Sequence, residues 1–186
     1  MNNKNFSTLI VHPNDSSTKF LEIIYQGIEN KTVITGGITK EELTLLIKEH
    51  DRCMFMGHGY PGGLFSVGQF SGCYSTIIDF SMVPLLNEKE NNVFIWCNAD
   101  QFVNRHNLKG FYSGMFISEV GEAGYCGVYG TDQDIIDESN YGFCHIISKY
   151  INEDRELIHE NVTKEYGLIA ETNPVALYNN NRLYKR

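Results

Sequence analysis

The order of apolar runs predicts an α/β fold: a mostly parallel sheet covered by helices on both faces, with a β-hairpin inserted after the third strand. Three observations predict it. Runs of strand length alternate with stretches whose apolar residues recur at helical spacing. Several of the short runs are apolar throughout, as strands buried on both faces are. A Gly-rich, aromatic stretch then interrupts the alternation between residues 59 and 78.

The elements follow in order. Leu9-Ile10-Val11 reads as a strand that stops at the turn cluster His12-Pro13-Asn14-Asp15-Ser16-Ser17, which also offers helix caps. Phe20, Leu21, Ile24 and Ile28 then share one helical face. Lys31-Thr32-Val33-Ile34 is a second strand, stopped by Gly36 and Gly37. Thr39 and Glu42 have the spacing of a capping box ahead of Leu43, Leu46 and Ile47. The run Cys53-Met54-Phe55-Met56 is the third strand and ends at Gly57-His58-Gly59. Residues 64–67 and 74–78 flank a Gly-bounded turn, as in a hairpin, and residues 79–88 form a short helix with Pro84 near its start. Val93-Phe94-Ile95-Trp96 is the fourth strand, ending at Cys97. Helices are predicted over 99–107, 114–123, 134–151 and 155–171, and a strand over 125–128 beside the fourth, for a sheet order of 2-1-3-4 and then this last strand.

With 186 residues, 42% of them hydrophobic, the chain fits one domain over 1–186, with a core at about 8–151 and a C-terminal helix at about 155–171. The five cysteines, at 53, 73, 97, 126 and 144, are odd in number and lack C-x-x-C spacing. They read as reduced thiols of a cytoplasmic protein. The start is polar, and no apolar run approaches the ~20 residues that span a bilayer, so no membrane partner is expected. A net charge of −8 excludes a nucleic-acid surface, which relies on clustered Lys and Arg. The basic tail Arg182-Leu183-Tyr184-Lys185-Arg186 reads as a frayed end.

The most informative feature is the pair of strand ends. If the third and fourth strands are parallel neighbours, His58 and, 39 positions on, Cys97 emerge together at the carboxyl edge of the sheet, where open α/β proteins place ligands. They form a candidate Cys–His nucleophile pair. His12 and Asp15, Gly36 and Gly37, Gly62 and Gly63, and Asp100 lie on loops that ring the same crevice. Tyr60, with Phe65, Phe70 and Tyr74, offers an aromatic wall. The carboxylates of Asp100, Glu119, Glu122 and Asp132 fall near the pocket edge. No set of His, Cys and carboxylates has metal-ligand spacing, and neither a metal nor another cofactor is assigned.

In the order of its motifs, an apolar strand ending in His58-Gly59, a hairpin, a short helix and an apolar strand ending in Cys97, the chain resembles the caspase-like fold of caspases, gingipains, clostripain, separase and CHAT domains. Residues 114–128 are similar to the helix-then-strand that follows the nucleophile in CHAT domains, and Thr131-Asp132-Gln133-Asp134 to their acidic turn. The resemblance runs over about residues 8–151. It implies a three-layer α/β/α sandwich and a cysteine endopeptidase acting on a protein or peptide. Cys97 would attack the carbonyl, His58 would protonate the leaving amine, and the Gly59 and Cys97 N–H groups would hold the oxyanion. An acidic pocket edge would favour Lys or Arg before the scissile bond. Trp96 stands where the family usually has a small residue, and the Q-A-C-x-G sequence of true caspases is absent. The alternative is a repurposed domain whose glycine loops bind a small anion such as a nucleotide or an ADP-ribose-type signal.

Overall fold

A computed structural model of the chain describes residues 6–186; the polar start at residues 1–5 lies outside them. Nine strands, eight α-helices and two 3-10 turns follow one another among the described residues. The main sheet has six strands in the order β2 (Lys31–Ile34), β1 (Thr8–Val11), β3 (Arg52–Met56), β7 (Asn92–Ile95), β8 (Gly110–Ser113) and β9 (Leu183–Lys185). The first five are mutually parallel and β9 runs antiparallel to β8. Every residue of β1, β3, β7 and β8 is buried, whereas β2 at the edge is not. The uniformly apolar runs therefore mark strands covered on both faces.

The pleat divides the core in two. Ile10, Met54, Met56, Val93, Ile95 and Phe111 pack with helices α1 (Glu22–Tyr25), α6 (Gln133–Tyr150) and α7 (Arg155–Ala170). Their strand neighbours Leu9, Val11, Cys53, Phe55, Phe94, Trp96 and Tyr112 face α2 (Lys40–Glu49), α3 (Val83–Leu86) and α4 (Ala99–His106). Helix α2 starts at the expected capping box: Thr39 accepts from the Glu42 N–H at 3.2 Å and Glu42 returns the bond to the Thr39 N–H at 2.8 Å. No helix among the described residues is long and apolar enough to cross a membrane.

Three expectations are corrected. The inserted hairpin is a three-stranded antiparallel sheet, β4 (Gly59–Tyr60), β5 (Gly63–Phe65) and β6 (Thr76–Ile78), because His58-Gly59 continues directly into pairing with β5. Residues 125–128 are not a strand. Helix α5 (Val120–Tyr125) occupies the start of that stretch, and Tyr125 is 88% exposed. The neighbour of β7 is instead β8, whose short Phe111-Tyr112 core carries little strand signal of its own. Its approach to β7 requires a glycine, since a Cβ at Gly110 would stand 2.1 Å from the Asn92 carbonyl oxygen. The tail is not frayed. Tyr184 pairs with Tyr112 across the β8–β9 ladder, and Leu183 is buried. Helix α8 (Pro174–Asn180), started by Asn173 with Pro174 in the first turn, returns the chain to that edge.

Candidate functional site

Strands β3 and β7 pair in parallel with Met56 opposite Ile95, so His58 and Cys97 each stand two residues beyond the last matched pair. Gly57, at φ +134°, turns the chain out of β3 while its N–H reaches the Ile95 oxygen at 3.1 Å. His58 and Cys97 both line one small cavity of about 20 Å³, together with Thr18, Phe20, Leu21, Phe116 and Ser118. That is room for about one water. Phe20 and Ser118 also line a neighbouring cleft of about 740 Å³, bordered by Ser17, Lys19 and Glu22, by Glu119 and Val120, and by Asp137 and Asn140.

Within the small cavity the two candidates bond elsewhere. The Cys97 thiol lies 3.5 Å from the Phe116 carbonyl oxygen and 3.6 Å from Glu122 Oε1. Glu122 is itself pinned through Oε2, which accepts from the Ser118 N–H at 2.7 Å, the Ser118 hydroxyl at 3.0 Å and the Glu119 N–H at 3.2 Å. Burial, with the Glu122 carboxylate next, pushes the Cys97 thiol up to about 12. It is protonated at neutral pH. His58 Nε2 lies 2.6 Å from Ser17 Oγ and 3.9 Å from Asp15 Oδ1. Ser17 in turn bonds Asp15 Oδ1 through its N–H at 2.9 Å and its hydroxyl at 2.6 Å. Those bonds hold the Asp15 carboxyl below the usual range.

Asp15 thus joins His58, and Glu119 lines the larger cleft while starting α5. Other residues expected at the pocket are engaged elsewhere. His12 is buried between Tyr25 Oη at 3.0 Å and Thr18 Oγ1 at 3.2 Å, so it holds the first loop together. Gly37 donates to the Gln69 oxygen at 2.8 Å, and a Cβ at Gly36 would stand 2.5 Å from the same oxygen, so this turn packs on the inserted segment. A Cβ at Gly62 would meet the Tyr60 ring at 2.6 Å, and one at Gly63 the Ile78 oxygen at 1.9 Å. Tyr60 is exposed and stacks on Phe65 at 5.1 Å. Asp100 lies in the first turn of α4, where burial raises its carboxyl, and lines neither cavity. Asp132 accepts from the Ile135 N–H at the start of α6.

Gly59 and Trp96 explain one another. A Cβ at Gly59 would stand 2.3 Å from the Trp96 indole, which is 1% exposed and donates from Nε1 to the Tyr60 oxygen at 3.2 Å. The indole is an anchor for the inserted sheet, on the opposite face of β7 from the core that Ile95 joins. Ser17 and the role of Glu122 were not foreseen. Their signals were present as Asp15-x-Ser17 and Glu119-x-x-Glu122, both of which read as helix starts. Compared with known protein families, curated proteins and solved structures, the chain matches none of them.

Proposed function

We propose that the chain is a cysteine endopeptidase of the caspase-like kind, with Cys97 as nucleophile and His58 as its acid–base partner. The observation that carries this reading is the registered pair of strand ends: β3 and β7 are parallel neighbours, and His58 and Cys97 just beyond them line one cavity. In the reaction the Cys97 thiol gives its proton to His58, and the sulfur attacks the scissile carbonyl. His58 returns the proton to the leaving amine as the C–N bond breaks, and water then hydrolyses the thioester. The N–H groups of Gly59 and Cys97 are the oxyanion donors of this reading.

The 740 Å³ cleft is the candidate groove for the substrate, because it shares Phe20 and Ser118 with the dyad cavity. Glu22, Glu119 and Asp137 set three carboxylates against the one amine of Lys19, which favours a Lys or Arg side chain. The anion-binding alternative lacks such support. Gly36, Gly62 and Gly63 are pressed against protein atoms, and none of the three lines the cleft.

The described arrangement is a resting one, with the thiol protonated against Glu122 and space for one water beside it. A substrate-shaped electrophile is therefore the right probe. A peptidyl acyloxymethyl ketone ending in Lys or Arg should modify Cys97, and mass mapping should show the label lost in Cys97→Ala and strongly slowed in His58→Ala. If basic, acidic and neutral versions of the probe all leave Cys97 unmodified, the peptidase reading fails.

A further inference from the structure

Two short 3-10 turns in this chain begin with the same local device, and only one of them has a histidine beside it. At Asp79-Phe80-Ser81 the aspartate Oδ1 accepts both the serine N–H, at 3.0 Å, and the serine hydroxyl, at 2.6 Å. At Asp15-Ser16-Ser17 the same two bonds recur at 2.9 and 2.6 Å. Ser81 makes this pattern with no imidazole in reach, so the hydroxyl proton of the device belongs to the carboxylate. Ser17 has therefore committed its only proton to Asp15, and an ionised carboxylate has none to give back.

The consequence falls on His58. Its Nε2 is 2.6 Å from Ser17 Oγ, an oxygen that here only accepts, so the ring must supply the proton of that bond. Among the described residues, His58 Nδ1 has no hydrogen-bond partner. We propose that Asp15 and Ser17 are positioning residues that hold His58 as its Nε2–H tautomer, leaving Nδ1 as the nitrogen that exchanges protons with the Cys97 thiol and the leaving amine. This assignment rests on the peptidase reading for its chemistry and on the hydrogen-bond pattern alone for its tautomer.

The proton balance is simple. Nδ1 takes the thiol proton as the S–C bond forms, and the ring becomes an imidazolium that still donates from Nε2 to Ser17. The Asp15 carboxylate, 3.9 Å from Nε2, stabilises that charge. Nδ1 then passes the proton to the departing nitrogen as the C–N bond breaks, and the ring returns to the tautomer it began with. Ser17 keeps its own proton throughout, so it is no nucleophile despite its short bond to His58.

The test is ¹⁵N spectroscopy of the imidazole in the intact protein, with Ser17→Ala and Ser17→Thr as variants. Wild type and Ser17→Thr should show Nε2–H, and Ser17→Ala a mixture of tautomers. Ala keeps the N–H bond to Asp15, so the loop start survives. On a cleaved peptide, Ser17→Ala should lower kcat about tenfold or more with KM little changed, and Ser17→Thr should recover most of it. An Nδ1–H ring in wild type, or a tautomer unchanged in Ser17→Ala, overturns the assignment. Cys97 modified by the ketone beside an Nδ1–H ring would overturn this assignment alone. An Nε2–H ring with Cys97 inert to every ketone would support the tautomer and overturn the peptidase reading.

Discussion

Two carboxylates govern the candidate pair at the level of single residues, one on each partner. Glu122 faces the Cys97 thiol at 3.6 Å, and its charge adds to burial in keeping the sulfur protonated. Glu122→Gln keeps an acceptor for the bonds that start α5 but removes the charge, so the thiol pKa should fall. Iodoacetamide at pH 8 should then alkylate Cys97 faster than in wild type, about tenfold for each pKa unit lost. Exposed Cys73 should react first in both proteins, and buried Cys53 and Cys144 last. Equal Cys97 rates in the two proteins would mean that Glu122 does not hold the proton. The placement of His58 and Cys97 just beyond neighbouring strand ends was legible in the sequence because each closes an apolar run of strand length. The bonds of Ser17 to His58 and of Cys97 to Glu122 were not, because they join residues 41 and 25 positions apart, and no local pattern encodes which loops will meet.

At the level of elements, the inserted sheet depends on places where only a glycine fits. Gly63 is at φ +144° with its Cβ position 1.9 Å from the Ile78 oxygen, so Gly63→Ala should cost more than about 1 kcal/mol in urea denaturation. Trp96→Phe keeps an aromatic core residue but drops the Nε1 bond to Tyr60, a loss of about 1 kcal/mol. Both changes should leave β1 and β2 intact. If Gly63→Ala proves neutral, the close approach of β5 to β6 is wrong. Trp96 shows why the segment was read imperfectly. Beside Cys97 the sequence presents it as a bulky neighbour of the candidate nucleophile, whereas strand alternation sends it to the far face of the sheet. The fifth strand was missed for a related reason: Phe111, Tyr112 and Ser113 are only three residues between glycines, and β9, which secures them, lies about 70 positions away.

For the molecule as a whole, the clearest pH dependence comes from His12. Burial lowers its pKa below the usual 6.5, so the fold holds it neutral between Tyr25 and Thr18. The unfolded chain binds the proton at the ordinary value. Below about pH 6.5 the unfolded state therefore carries more protons, and stability falls with pH until the lowered native pKa is reached. Melting curves between pH 7 and 5 should show Tm falling more steeply in wild type than in His12→Gln; parallel curves would assign the acid sensitivity elsewhere. The inserted sheet has a consequence on a slower clock. Its three strands form a separate ladder, tied to the main sheet by the Trp96–Tyr60 bond among others, while β3 and β7 are buried on both sides. Amide hydrogen exchange should therefore come in two tiers, with the amides of 63–65 and 76–78 trading for deuterium through a local opening that leaves those of 53–56 and 93–95 untouched. The stretch of chain between His58 and Cys97 would then open and reclose many times for each time the two strand ends part.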